Sequence, residues 1–318
     1  MSAIAVIGAG AFGTALAIAL SSTGTPVTLV ARKAARELDA ARENSRYLPG
    51  LPFPAGLRVA AEVPEAADLV LLAVPMQSLA RMFADHAEML AGQRLVACCK
   101  GIDLATGLGP ATLASRLSPG STCAILTGPS FAVDIAQGLP TALTLACANP
   151  RAGAEIQGLL ARPALRIYLT DDVIGAELGG ALKNVVALAA GLTIGAGLGE
   201  SARASVVTRG FAEMQRAAGA MGARSETLVG LSGLGDLLLT ATSEKSRNFS
   251  TGIRLGRGGR FDGTSTVEGI ATAEAMLQVA ERIGAELPLT AMVAEVTSGR
   301  IGVEEARDIL LARPLRRE

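Results

Sequence analysis

The stretch AIAVIGAGAFGTALAIALSST, residues 3–23, decides the fold. Its opening, AIAVIG (3–8), is a continuous apolar run with β-branched residues, as expected of a strand covered on both faces. GAGAFG follows directly with Gly8, Gly10 and Gly13, and TALAIALSST (14–23) then reads as a helix. Glycines in this order serve a tight turn, close backbone approach to a pyrophosphate, and helix–strand packing, while the helix N-terminus faces the anion. A strand and a helix flank the G-x-G-x-x-G, so the turn reads as a dinucleotide site rather than glycine filler.

Working outward, strand-like runs recur at 26–31, 68–74, 94–99, 122–126, 141–147 and 165–170, separated by helical segments. The alternation predicts a Rossmann-like, doubly wound α/β domain over 1–171. From Asp172 onward the strand pattern stops. Ala/Leu-rich helical segments at 172–197, 201–221, 225–231, 236–243, 269–283 and 290–298 predict an all-helical domain over 172–318.

Composition excludes several function classes. Half of the 318 residues are hydrophobic, so a well-buried globular protein is expected. With nine aromatic residues and no Trp, stacking platforms for single-stranded nucleic acid are not expected. A formal net charge of zero gives no electrostatic reason for a nucleic-acid or anionic-membrane partner. SAIAVIGAG carries no basic n-region, and the most apolar windows are interrupted by Lys, Asn, Glu or Gly; neither export nor membrane insertion is expected, and the cytoplasm is the expected location. Cys98, Cys99, Cys123 and Cys147 lack C-x-x-C spacing and read as buried, reduced thiols. His86 is the only histidine and reads as a surface helix position, which rules out a His-rich metal site and turns the search for an acid–base group to lysine or carboxylate.

Six further stretches carry candidate chemistry. The second strand ends VTLVARK, with Arg32 and Lys33 where an NAD site usually carries an acid; a guanidinium suits a 2′-phosphate, so NADP is the preferred cofactor. VACCKGI delivers Lys100 to the carboxyl edge of the sheet. ILTGPSFA places Gly-Pro-Ser after a strand, with Pro129 suited to the first turn of a helix. In ELGGALKNVVALAAG (177–191), Lys183 is one of only four lysines against twenty-five arginines, and it lies on one helical face with Gly180 and Ala187. Those small neighbours leave room for a ligand or for another helix. A merely structural Lys183 would need an acid beside it; Asp236, in GLSGLGDLLLT, reads as that acid, as a helix N-cap, or as both. SRNFSTGIRLGRGGR (246–260) is a glycine-broken segment in which Ser246, Arg247 and Asn248 are apt phosphate donors, while Arg254, Arg257 and Arg260 read as a basic surface loop.

GAGAFGTALA, NSRYLPG, AVPMQSL, KGI, LTGPSFA, LKNVVALAAG, GLGDLLLT, SRN and VEG occur in this order, and together they resemble the bacterial NAD(P)-dependent glycerol-3-phosphate dehydrogenases. The resemblance runs from residue 3 to about residue 300. It implies reversible reduction of dihydroxyacetone phosphate to sn-glycerol 3-phosphate, feeding phospholipid synthesis, with NADP preferred and NAD as the second cofactor. Lys183 matches the family's general acid/base. Lys100, Gly128, Ser130, Lys183, Asp236, Ser246, Arg247 and Asn248 fall on its substrate motifs. Gly8, Gly10, Ala11, Phe12, Gly13, Arg32, Lys100, Ala132, Arg247 and Glu268 fall on the cofactor turn and cofactor motifs. Asn184 is expected to polarise the substrate oxygen or hold the substrate. Two departures stand near Glu268: the segment between LGRG and TVEG is short, and Thr266 replaces a common valine.

Two rivals remain. A 2- or 3-hydroxyacid dehydrogenase of the same plan would carry K-x-x-x-N, whereas here Ala187 lies four beyond Lys183. A non-catalytic NADP-binding sensor would lack the polar set Lys100, Lys183, Asp236 and Arg247, which is present. The partner implied is a small phosphorylated substrate. The sequence does not set the oligomeric state, and a homodimer is the assembly kept open.

Overall fold

The computed structural model describes residues 3–261 and 267–312. Thr266 therefore lies outside the described residues. The chain forms two compact units: residues 1–100 with 108–177, and residues 101–107 with 178–318. The chain thus leaves the first unit inside a helix, Val173–Gly195, instead of ahead of it at Asp172.

The first unit is built on one eight-stranded sheet: β1 (Ile4–Ile7), β2 (Val27–Val30), β3 (Leu57–Ala60), β4 (Leu69–Leu72), β5 (Arg94–Ala97), β6 (Thr122–Thr127), β7 (Thr141–Cys147) and β8 (Leu165–Thr170). Its order is β3-β2-β1-β4-β5-β6-β7-β8, parallel throughout except for the antiparallel pair β6/β7. Ile4 pairs with Val27 on one side and Leu69 on the other, so the winding direction reverses at β1. Ligands of such sheets bind outside the carboxyl ends of the strands at that reversal. β1 shows why its sequence is unbroken and apolar: Ile4 and Val6 enter one core and Ala5 and Ile7 the other.

One strand escapes the sequence pattern. LRVA forms β3 at the sheet edge, where Arg58 is exposed and only Leu57 is buried, so no apolar run marks it. A guanidinium helps to hold its entry: Arg42 donates to the carbonyls of Pro54 (2.9 Å) and Leu57 (2.8 Å).

The second unit is helical, with Val173–Gly195, Gly199–Ala220, Ser225–Val229, Asp236–Ala241, Arg247–Gly256, Glu268–Ile283, Pro288–Thr297 and Val303–Leu311. Its core gathers Leu182, Val185, Val186, Met214, Phe249 and Met276. The helix Arg247–Gly256 corrects the reading of 246–260 as a glycine-broken segment. Its glycines are a contact face. A Cβ on Gly252 would strike the Leu188 carbonyl, one on Gly256 the Leu192 carbonyl, and one on Gly191 the Phe249 carbonyl. Small residues here make room for another helix. Val173–Gly195 is the one helix among the described residues long and apolar enough to cross a bilayer, yet 89% of its most apolar stretch is buried inside the protein.

Candidate active site

In the first unit, the glycine turn is defined by what a side chain would meet. Gly8 has φ +114°, and a Cβ there would lie 2.6 Å from the Ala73 carbonyl oxygen. A Cβ on Gly13 would collide with the Gly8 carbonyl. Gly10 differs: nothing lies within 4 Å of the position its Cβ would take. The helix that follows is Ala11–Ser21, beginning earlier than the expected 14–23, with Gly10 at its N-cap and no side-chain cap. Ala11, Phe12 and Gly13 therefore present first-turn N–H groups beside open space, a cradle that fits a pyrophosphate.

Asn44, which sequence reading left without a role, supports this turn. Its buried Nδ2 donates to the Ala9 carbonyl (3.0 Å) and to Thr14 Oγ1 (2.9 Å). Its presence within NSRYLPG was the only available signal, because a contact 35 residues away has no periodicity to betray it.

Arg32 follows β2 with φ +42°, a left-handed conformation that costs a non-glycine residue about 1–2 kcal/mol. Its side chain is exposed. Such strain is concentrated at functional positions.

Lys100 lies beyond β5 and donates to the Gly128 carbonyl (3.0 Å), which also accepts from Ser130 Oγ (3.1 Å). Three expected substrate residues thus meet at one carbonyl. Gly128 has φ +131°, and a Cβ there would press on Leu143. The expected helix at Pro129 begins instead at Ala132, after Phe131, because residues 128–130 are taken up by this turn. Burial pushes the Cys98 thiol up to about 12, against a smaller opposing effect of Lys100. Cys99 and Cys147 are buried too, but Cys123 is half-buried, contrary to expectation; burial, and secondarily Cys147, raises it to about 11. His86 is half-buried at the junction of the helices Leu79–Asp85 and Ala87–Leu90, not on a continuous surface helix.

In the second unit, Lys183 is 7% exposed and has the acid it needs. Its Nζ lies 3.0 Å from Asp236 Oδ1 and donates to Thr240 Oγ1 at 2.7 Å. Thr240 in turn donates to Asp236 Oδ1 (3.2 Å). Glycine makes this triangle possible. Gly179 lets the Lys183 helix approach the Ser232 carbonyl, where a Cβ would come within 2.7 Å. Leu231–Gly235 takes a π-helical form, with Gly235 N–H bonded to the Gly230 carbonyl (3.0 Å), and turns directly into Asp236–Ala241. Gly235 occupies the N-cap, so Asp236 is the lysine's partner and not a cap. Thr240 was missed by sequence reading; its i, i+4 spacing from Asp236 was the signal.

Ser246 caps Arg247–Gly256, its Oγ accepting from Phe249 N–H at 3.3 Å. Arg247 is exposed in the first turn beside this cap. Asn248 is buried, with Nδ2 donating to Asn184 Oδ1 (2.9 Å) and Oδ1 accepting from Gly269 N–H (3.0 Å). The Asn184 amide is thus engaged within the protein. Ala132 and Glu268 are half-buried and open the helices Ala132–Ala136 and Glu268–Ile283. No group of three or more His, Cys, Asp or Glu suited to a metal occurs among the described residues.

Residues 3–153 match the NAD-dependent glycerol-3-phosphate dehydrogenase N-terminus, and residues 172–308 match the C-terminus of the same family. The chain belongs to the glycerol-3-phosphate dehydrogenase family. It is 57% identical over 316 residues to the glycerol-3-phosphate dehydrogenase (NAD(P)+) of Paracoccus denitrificans, covering 99% of each chain. The Cereibacter sphaeroides enzyme of the same name is 55% identical, over 99% of this chain and all of the relative. Among solved structures, glycerol-3-phosphate dehydrogenase from Coxiella burnetii is 33% identical with a TM-score of 0.93, covering 98% of this chain and 99% of that one. The chain is therefore an NAD(P)-dependent oxidoreductase that interconverts dihydroxyacetone phosphate and sn-glycerol 3-phosphate, a reaction of lipid metabolism.

Proposed function

We propose that Lys183 is the general acid/base of this dehydrogenase, that Arg247 and the N-terminus of its helix bind the substrate phosphate, and that Arg32 makes NADPH the preferred reductant. The observation that carries the reading is the buried Lys183–Asp236–Thr240 triangle. Asp236 and Thr240 hold the ammonium in place and compensate its charge.

The nicotinamide cofactor, when bound, supplies the hydride. The cradle of Gly8, Gly10, Ala11, Phe12 and Gly13 fits its pyrophosphate, and Arg32 its 2′-phosphate. A ketone carbon that gains hydride leaves an alkoxide, and Lys183 Nζ gives that oxygen a proton. In the reverse direction the neutral amine takes the proton from the hydroxyl. Arg247 binds the phosphate with charge-assisted hydrogen bonds, so that remote binding energy orients the reacting carbon. Lys100, Gly128, Ser130, Asp236, Ser246 and Asn248 complete the proposed substrate set, and Lys100, Ala132, Arg247 and Glu268 the cofactor set. The enzyme is read as cytoplasmic, with a homodimer as its proposed assembly.

Steady-state kinetics of Arg247→Ala with dihydroxyacetone phosphate and with phosphate-free dihydroxyacetone test the phosphate assignment. KM for the phosphorylated substrate is expected to rise about tenfold or more, from loss of a charge-assisted bond, with dihydroxyacetone little affected. Equal losses for both substrates would assign Arg247 to the cofactor or the fold.

A further inference from the structure

Two buried carboxylates, Glu177 and Glu213, each hold the start of another helix. Glu213 accepts the N–H groups of Leu289 and Thr290 and the Thr290 hydroxyl at the start of Pro288–Thr297. Glu177 does the same for Pro110–Leu117: its Oε1 accepts the N–H groups of Ala111 (2.7 Å) and Thr112 (2.8 Å), and its Oε2 accepts Thr112 Oγ1 (2.7 Å). Both helices open Pro-x-Thr, and in neither does the N-cap residue's side chain bond to the first turn. A carboxylate brought from elsewhere in the chain satisfies those donors instead. Gly109, the N-cap of Pro110–Leu117, has φ −74°, which suits any residue, so space keeps it bare: a Cβ there would strike the Glu177 side chain.

The two carboxylates differ in where they stand. Glu177 is 3% exposed, lies one turn into Val173–Gly195 ahead of Lys183, and is the last residue of the first unit. Among the described residues this helix is the one regular element that the division into units cuts; the crossings after Lys100 and after Gly107 lie in irregular chain. The apolar grip of the first unit on the opening turn is small: Val173 and Ala176 pack with Ala111, Ile125 and Ala146.

We infer that Glu177 is a positioning residue for Lys183: its carboxylate ties the start of the lysine's helix to Pro110–Leu117 and so fixes where the ammonium stands. The inference rests on the acid/base role proposed above for Lys183. Hydride and proton go to adjacent atoms of one substrate, which leaves the lysine little freedom of place. From Glu177 to Lys183 the helix rises about 9 Å, so a tilt of about 6° at Glu177 moves Lys183 by about 1 Å. A displacement of about 1 Å at reacting groups costs on the order of 100-fold in rate. Glu213 joins Gly199–Ala220 to Pro288–Thr297, helices that carry none of the proposed site residues, and so provides the control.

A double-mutant cycle in kcat tests the inference, with Glu177→Ala made in the wild type and in Lys183→Ala, and with Glu213→Ala as control. Each enzyme is assayed at saturating NADPH and dihydroxyacetone phosphate, well below its melting temperature. In the wild type, Glu177→Ala is expected to lower kcat ~10- to 100-fold, with NADPH affinity unchanged in fluorescence titration. In Lys183→Ala the same change should cost little more, since no lysine is left to misplace. Glu177→Gln keeps an acceptor for both N–H groups and a donor for Thr112 Oγ1, and should restore most of the turnover. Glu213→Ala loses the equivalent bonds and should lower Tm without lowering kcat. Gly109→Ala displaces the same carboxylate from the other helix and takes the place of Glu177→Ala in the cycle if that variant fails to fold. Equal kcat losses in the wild-type and Lys183→Ala backgrounds would overturn the inference, as would wild-type kcat in a folded Glu177→Ala or an equal kcat loss in Glu213→Ala. Near-normal turnover of Lys183→Ala alone would sink the acid/base reading itself, and with it the role of Glu177 in placing that base.

Discussion

At the scale of single residues, the informative positions are those held against a physical preference. Arg32 is one, since it keeps a left-handed backbone with its guanidinium exposed at the end of β2. Arg32→Asp is expected to weaken NADPH relative to NADH by about tenfold or more, because an acid repels the 2′-phosphate and accepts from a free ribose hydroxyl. Fluorescence titration of both dinucleotides measures it, and an unchanged preference would remove Arg32 from cofactor discrimination. Glu213 is another. It is buried in Gly199–Ala220 and accepts the N–H groups of Leu289 and Thr290 (2.9 Å each) and Thr290 Oγ1 (2.6 Å) at the start of Pro288–Thr297. Burial raises its pKa, with the hydrogen bonds to Thr290 and Leu289 opposing less strongly. A raised carboxyl stabilises the fold fully below its unfolded pKa, and that contribution is lost as pH rises through the folded value. The Tm advantage of the wild type over Glu213→Gln should therefore shrink as pH rises from about 4 towards neutrality. An advantage that grew with pH would mean that the hydrogen bonds, not burial, set the titration.

At the scale of elements, glycine decides how closely helices approach. Gly191 and Gly195 of Val173–Gly195 face Gly252 and Gly256 of Arg247–Gly256, backbone against backbone. Gly252→Ala should destabilise by about 1–3 kcal/mol through overpacking, read as a lower urea midpoint at unchanged m-value. An unchanged midpoint would show that the two helices can part at no cost. The same four glycines explain a misreading of the sequence. Read along the chain, Gly252 and Gly256 look like helix breakers; only the partner helix shows that they are contact surfaces. β3 was illegible for a related reason, since an edge strand with Arg58 exposed buries too few side chains to leave a periodic trace. By contrast β1, buried on both faces, was legible from its apolar run alone.

At the scale of the whole molecule, the division into a parallel-sheet unit and a helical unit followed from where the β-branched runs stop, and the glycine turn located the strand-to-helix junction proposed to cradle the cofactor. What the sequence could not supply was the pairing of groups far apart in the chain. Thr240 and Asp236 reach Lys183 only because Gly179 and a π-helical turn bring Leu231–Gly235 against its helix. Asn248 likewise meets Asn184 and Gly269 across gaps of 64 and 21 residues in the chain. The acid/base assignment of Lys183 is the central claim, and removing its charge also leaves Asp236 buried without its cation, a loss of about 3–5 kcal/mol in stability. The most direct measurement is therefore the turnover of Lys183→Ala, folded at the assay temperature, with added primary amines of similar size and different pKa. Turnover without amine should be lower by about two to four orders of magnitude. With amine it should recover in part, at a rate that varies with amine pKa, as proton transfer requires. Near-normal turnover without amine, or equal recovery with every amine, would contradict the account and leave Lys183 as one half of an ion pair.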